Sequence, residues 1–374
     1  MNGAGTSGSA DVGAWLDRLV AGRRDYRQEI RSMADRYPHV VFYGCGSMFH
    51  SVLDTWRSYI GRPISWCCDS DSSKWGRSFG GVRCLSVDEL VAIKDECAVF
   101  VTIDRSQDVF DLLSSRGFPA VHTLYMFDLI ASEYLLTTDR SELVDNLRAT
   151  YEMLSDQRSR DVFSAIMERV FGDGTRADIM ARVRDCDQYF APDLVNLARD
   201  ESFVDVGAFT GDTILDFVAR TSGQFERVYA FEMDSSNFSA LSATVAALPQ
   251  RERIHPFNIG LWDEDAEILY SPDDSSSRIG AGTAVGRVRP LDDVLNGARV
   301  TFLKMDVEGA EPQALRGAAA TIAACRPTLA VSVYHDLRHL WEIPQYLKGL
   351  VPDYRIFLRQ YTDIERETVC YALL

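Results

Sequence analysis

The 374-residue chain contains no apolar run long enough to cross a bilayer, which excludes a membrane-spanning helix. Basic residues are scarce: 39 Lys and Arg stand against 55 Asp and Glu, for a net charge of −16 with His neutral. That balance argues against a dedicated nucleic-acid or anionic-membrane surface, since either needs clustered Lys and Arg. No C-x-x-C pair and no disulfide-like spacing occur among Cys45, Cys67, Cys68, Cys84, Cys97, Cys186, Cys325 and Cys370. Several of these sit in apolar runs, where free Cys acts as a small hydrophobe, so a reducing compartment is expected. Residues 1–10 lack the basic and apolar regions of a signal peptide; they read as a flexible tail, and a cytoplasmic location is expected. Phe49 at the third glycine position after Gly44-Cys-Gly46, and the absence of a Tyr-x-x-x-Lys pair, argue against a nicotinamide-dependent oxidoreductase.

The length allows two domains, each with its own core. Residues 11–36 carry helical periodicity, with Val12, Trp15, Leu16, Leu19 and Val20 on one face. Strand signals follow at 39–43, 64–69, 98–102 and 121–125, with helices at 48–59, 87–93 and 107–115. This alternation predicts a small doubly wound α/β domain over residues 11–126. Residues 127–198 carry almost no strand signal; helices at 141–154, 158–171 and 176–186 make a helical connector that packs over the second domain. From 199 to 374, strands are expected at 202–206, 227–231, 253–257, 300–305, 328–333, 354–358 and 368–373, with helices after the first five. A small hairpin is inserted around 268–271 and 283–288. Only residues 359–367 separate the last two strands, so these form an antiparallel hairpin. The expected fold is thus α/β, with five parallel strands plus a terminal antiparallel hairpin. Low-complexity sequence is confined to the tail and residues 273–277.

Chemistry concentrates at three strand ends. Phe203-Val-Asp-Val-Gly-Ala-Phe-Thr-Gly-Asp212 reads as a buried strand, a glycine-bearing turn and a helix start. Gly207 and Gly211 let backbone approach a ligand where a Cβ would clash. Val228-Tyr-Ala-Phe-Glu232 is a parallel neighbour whose terminal carboxylate can accept two hydrogen bonds from a ribose diol. Together they describe a nucleoside-binding crevice at the carboxyl ends of adjacent strands. Asp205 and Asp212 flank the turn, and two carboxylates repel a pyrophosphate but suit a cation. S-adenosylmethionine, with its amino and sulfonium groups, fits such a turn; a nucleotide-binding or merely structural Rossmann turn is the alternative.

A third segment, Lys304-Met-Asp-Val-Glu-Gly-Ala-Glu311, is again a strand ending in a dense acidic turn. With the two segments above and Pro327-Thr-Leu-Ala-Val-Ser-Val-Tyr-His335, it makes the chain from about residue 188 onward resemble the FkbM family of S-adenosylmethionine-dependent methyltransferases. Met233 departs from the pattern, which usually has proline after the ribose acid. The resemblance implies a class I Rossmann-like methyltransferase sheet over residues 199–374 and O-methylation of a hydroxyl on a sugar, glycan or natural product. It also implies that Gln188-Tyr-Phe190 lies beside the cofactor. In the first domain, Tyr43-Gly-Cys-Gly46 and Cys68-Asp-Ser-Asp71 resemble the nucleotide-lining segments of sugar acyltransferases and related sugar-nucleotide proteins. Phe49 at the third glycine position weakens any pyrophosphate site there; a docking or dimerisation module is the alternative, and a homodimer stays open.

Asp205 is expected to point toward the methionine amino group and Asp212 to cap the helix. Glu232 ends a buried strand, where a ribose partner relieves the cost of a buried carboxylate. Asn258 and Leu261 follow the third strand, where the adenine edge and face would lie; Trp262 stacks there or packs in the core. Asp306, Glu308 and Glu311 crowd one turn and need compensating charge, which Lys304 can supply; Glu308 and Glu311 also suit a first helical turn. Asp306 faces the crevice, and His335, with an intrinsic pKa near neutrality, is expected as general base, oriented by Asp306. Asp306, Glu308 and His335 form the catalytic set. A loosely held divalent ion on Asp306 and His335 is the alternative, and His339 one helical turn on gives only an incomplete zinc motif. Binding of a nucleotide or sugar nucleotide by the first domain, or nicotinamide chemistry there, is the rival reading of the whole.

Overall fold

The computed structural model describes residues 9–22, 25–103, 106–123, 137–171, 179–271, 278–279, 284–363 and 366–374. Residues 1–8, 127–136 and 273–277, with the ends of the strand expected at 121–125 and the helix expected at 176–186, lie outside them. The chain forms two compact units: Met1–Gly22 with Asp139–Leu374, and Arg23–Thr138. Among the described residues no helix is long and apolar enough to cross a membrane.

Helix α1, Ser9–Ala21, belongs to the larger unit. The sequence pattern joined it to the first α/β domain; its stripe of Val12, Leu16 and Val20 is instead buried in the larger unit. Its partners are the helices α6 and α7 described below.

The smaller unit runs α2 (Tyr26–Asp35), β1 (His39–Tyr43), α3 (Ser47–Ile60), β2 (Trp66–Cys68), β3 (Ser78–Phe79), β4 (Val82–Leu85), α4 (Val87–Ala92), β5 (Cys97–Val101), α5 (Ser106–Ser115) and β6 (Val121–Thr123). The sheet order is β3-β4-β2-β1-β5-β6, parallel throughout except for the β3–β4 hairpin. That hairpin and the parallel partnership of β4 with β2 were not expected. The signal was present: Gly80 and Gly81 both take positive φ, as a tight hairpin turn requires.

In the larger unit, α6 (Arg140–Met153) and α7 (Gln157–Phe171) come first. The sheet strands are β7 (Ser202–Val206), β8 (Arg227–Phe231), β9 (Ile254–Phe257), β14 (Phe302–Met305), β15 (Thr328–Ser332), β16 (Arg355–Gln360) and β17 (Thr368–Leu373). They lie in the order β16-β17-β15-β14-β7-β8-β9. The five from β15 to β9 are parallel, and β17 runs antiparallel to both β15 and β16. The parallel strands are near-continuous apolar runs because helices cover both faces. A second small sheet, β10 (Gly260–Leu261), β13 (Ala284–Arg289), β11 (Ala266–Ser271) and β12 (Arg278–Ile279), is inserted after β9. The helices between the strands are α8 (Asp212–Arg220), α9 (Ser235–Ala247), α10 (Leu291–Leu295), α11 (Glu311–Arg316), α12 (Ala319–Cys325) and α13 (His339–Leu350).

Two features tie the helical segment to β16. Arg359, fully buried, pairs with Asp156 and Asp193, and the Leu358 N–H donates to Ser159 Oγ at 2.9 Å. Of the helix expected at 176–186, the described part is α-helical at Ile179 and Met180 and passes into a 3₁₀ turn, Ala181–Val183. The backbone beyond it turns outward: the Asp185 N–H donates to Gln360 O at 2.6 Å, extending the edge of β16 in place of a helix.

Candidate active site

The parallel strands end together at one edge, and the order of β14, β7 and β8 places the first strand in the middle. That reversal opens a crevice beyond the carboxyl ends of the strands. A cavity of about 360 Å³ lies there, within the size range of small-molecule sites. Gly207 is required at its base: φ is +77°, and a Cβ would lie 1.8 Å from Asp306 O. Gly211, φ +93°, ends the turn and precedes α8, where a Cβ would crowd Leu241 and Thr244 at 3.1 Å.

Five carboxylates line the cavity, those of Asp212, Glu232, Asp306, Glu308 and Glu367. Glu232 is 8% exposed; its two oxygens accept the N–H groups of Phe209 at 3.0 Å and Asp234 at 2.8 Å. Burial raises its pKa, against those two hydrogen bonds. Leu261, Met233 and Val288 supply an apolar wall. Met233 fits because Gly260 and Gly286 leave room for its sulfur: a Cβ on either would come within 3.2 and 2.6 Å of Sδ.

The structure places the two aspartates differently from expectation. Asp205 is fully buried and does not line the cavity; its Oδ1 lies 3.0 Å from Lys304 Nζ. The two residues are register partners on β7 and β14, so their side chains leave the sheet on one face and meet there. Burial raises the Asp205 pKa to about 6 although Lys304 opposes it. Asp212 lines the cavity as the first residue of α8, and no side-chain cap bond is present at that helix start. Asn258 is not in the lining either. Its Nδ2 donates to Glu232 O at 2.9 Å and Met233 O at 3.0 Å, so it braces the loop that carries Glu232.

The acidic turn is compensated by a histidine. His335 Nδ1 lies 2.9 Å from Glu311 Oε1, and Nε2 lies 3.4 Å from Glu308 Oε2 and 3.6 Å from Asp306 Oδ1. Burial alone would lower its pKa; Glu311, Asp306 and Glu308 outweigh that and push it up to about 10. The three carboxylates thus favour the protonated ring. The ring, expected as general base, is set facing three carboxylates as their counter-ion. It does not line the cavity. Lys304, expected to neutralise the acids, makes its direct ion pair with Asp205 and acts on Asp306 through its field. Glu311, fully buried, also approaches His339 Nδ1 at 3.3 Å and accepts the Val307 N–H at 2.9 Å. Asp306, Glu311 and His335 each offer one ligand atom within 4.8 Å of the others. A cation there would have to displace the imidazolium proton.

Asp306 is oriented by two phenols. Tyr189 OH donates to Oδ2 at 2.7 Å and Tyr334 OH to Oδ1 at 3.3 Å. Burial opposes ionisation of Asp306, but His335, Lys304 and Tyr189 hold its carboxyl below the usual value. Burial raises both phenols, so they remain donors. Glu367 completes the wall; burial raises its pKa, and it accepts a hydrogen bond from Gln188. Tyr189, Phe209, Glu308 and Glu367 all have positive φ between 47° and 66° and all line the cavity. Left-handed non-glycine residues carry strain, and strain gathers at working sites. Tyr334 and Glu367 were not singled out from sequence. Tyr334 adjoins His335 at a strand end, which was a usable signal; Glu367 had none, because only the antiparallel return of β17 brings it to the crevice.

In the smaller unit, Asp69 ends β2 as a nucleotide-binding acid would. Its carboxylate is engaged within the protein: Oδ2 accepts the Cys45 N–H and Lys74 Nζ, both at 2.8 Å, and Oδ1 accepts the Asp71 N–H at 2.9 Å.

Residues 205–364 match the family model described as Methyltransferase FkbM domain. Among solved structures, the chain is similar to the methyltransferase FkbM from Methylobacillus flagellatus KT, at 22% identity over 97% of this chain and 99% of that one, with a TM-score of 0.73. At that identity the likeness speaks for the fold. An rRNA methylase from Streptococcus thermophilus overlaps 48% of this chain and 90% of its own, at 15% identity and a TM-score of 0.32. A putative methyltransferase from Streptococcus mutans in complex with SAH overlaps 53% and 95%, at 12% identity and 0.30. Overlaps this loose carry no argument. No curated protein matches the chain.

Proposed function

We propose that the chain is an S-adenosylmethionine-dependent O-methyltransferase acting on a hydroxyl of a sugar, glycan or natural product. The observation that carries this reading is the crevice itself: among the described residues, five carboxylates line the cavity, and the one lining Lys or Arg, Lys304, is paired with Asp205. Such a wall repels a pyrophosphate and attracts a sulfonium and an ammonium. The residues present fit the cofactor. Glu232 has satisfied one lone pair on each oxygen with backbone N–H groups and can turn the others to a ribose diol. Leu261, Met233 and Val288 suit an adenine face.

When bound, the cofactor supplies an electrophilic methyl group on a good leaving group. The chain's own work is alignment and handling of one proton. Asp306, fixed by Tyr189 and Tyr334, orients the acceptor hydroxyl. Glu308, on the same wall, takes its proton. His335 holds the acidic turn together as its counter-ion.

Calorimetry on the full chain with S-adenosylmethionine, S-adenosylhomocysteine and NAD tests the reading. Binding of the first two and not of NAD is expected; binding of NAD alone would favour a nicotinamide enzyme, and no binding of S-adenosylmethionine overturns the proposal. With radiolabelled methyl donor and a panel of saccharide and phenolic acceptors, Glu308→Gln should lower kcat by about 100-fold or more at nearly unchanged cofactor affinity.

A further inference from the structure

Three cysteines with no motif-like spacing meet in the smaller unit. Cys67 on β2 and Cys84 on β4 are register partners in adjacent parallel strands, so their side chains leave the sheet on one face. Cys45, in the turn after β1, comes down onto them: its Sγ lies 3.8 Å from Cys84 Sγ, and the three sulfurs lie within 4.8 Å of one another. All three are at most 3% exposed.

Two observations go beyond ordinary packing of small hydrophobes. The first is metric. Two thiolates on one tetrahedral zinc, each at about 2.3 Å, stand roughly 3.8 Å apart; Cys45 and Cys84 already have that separation. The second is that Cys45 is held in place from behind. Gly44 takes φ +108°, where a Cβ would lie 2.2 Å from Ile103. The Cys45 N–H donates to Asp69 Oδ2, and Lys74 anchors the same oxygen. Backing of this kind is what orients ligands at a built metal site.

We propose that Cys45, Cys67 and Cys84 form a binding site for one thiophilic d10 cation of the zinc class, separate from the methyltransferase crevice. The surroundings are apolar, including Phe49, and the donors are sulfur, so hard cations that want oxygen are excluded. Cysteine ligates such an ion as the thiolate. A divalent ion therefore displaces two thiol protons to solvent. Two thiolates and one thiol then leave the dry site neutral. The ion staples the β1 turn to β2 and β4.

Cadmium titration of the reduced full chain tests this, read by thiolate-to-cadmium absorption and by metal content after gel filtration. One ion per chain is expected. The absorption should vanish in Cys67→Ala and Cys84→Ala and persist in Cys186→Ala, whose thiol is exposed in the other unit. With two protons exchanged per ion, affinity should fall roughly 100-fold per pH unit below neutrality. Should the alanine variants not fold, alkylation of the wild-type chain in mild denaturant, mapped by mass spectrometry, decides: cadmium should protect these three cysteines together. No stoichiometric binding, absorption unchanged in folded Cys67→Ala and Cys84→Ala, or no joint protection overturns the site.

Discussion

Replacing His335 by glutamine removes the one positive charge among Asp306, Glu308 and Glu311 while roughly keeping the volume. Glu311 is fully buried and would be left with His339 and the Val307 N–H. Removing one partner of a buried ion pair typically costs about 3–5 kcal/mol. The elevated pKa gives a similar figure. A rise from 6.5 to about 10 corresponds to roughly 5 kcal/mol of preference for the charged ring. Since the folded-state pKa lies above the unfolded one, this stabilisation is complete below pH 6.5 and is lost as pH climbs through about 10. Urea unfolding from pH 6 to 10 should show the wild-type chain losing stability progressively from about pH 6.5 to 10 and the His335→Gln variant lacking that component. Imidazole nitrogen shifts by NMR should show a doubly protonated ring at pH 8. A ring that titrates near 6.5, or a variant within about 1 kcal/mol of wild type, would refute the counter-ion role and return His335 to candidacy as a base.

Glu232→Ala should weaken S-adenosylmethionine binding by roughly 1.5–3 kcal/mol, the worth of charge-assisted hydrogen bonds, as read by calorimetry on folded protein; unchanged affinity removes the ribose assignment. Gly207→Ala should destabilise by roughly 2–5 kcal/mol, combining the left-handed backbone with the overlap on Asp306 O, and melting should reveal it. Lys304→Met should cost about 3–5 kcal/mol by stranding Asp205, and adding Asp205→Asn should recover most of it. Additive losses in that cycle would mean the two side chains are not coupled.

Periodicity and strand-end chemistry were legible in the sequence because they are local. Apolar runs such as residues 202–206 and 227–231 place buried strands, and the acids and glycines behind them mark one ligand-bearing edge. That Glu232 lies in the crevice follows from strand length and alternation alone. What the pattern left undecided is which neighbour each side chain meets. Asp205 and Asp212 sit on either side of one turn, and only the register of β7 against β14 turns the first to Lys304 and leaves the second to the cavity. His335 reads as a base because its intrinsic pKa is near neutral. Three carboxylates converge on it through a turn, a helix start and a strand end, and the field they create exists only when those elements are packed. Asn258 is likewise diverted by backbone carbonyls 25 and 26 residues away in the chain. Glu367 and the three thiols reach their places through strand order, which depends on pairing between distant segments and so leaves no local mark. One-dimensional spacing thus determined the elements and the edge where ligands bind; three-dimensional pairing decided charge state, because electrostatic energy depends on separations in space that sequence distance does not encode.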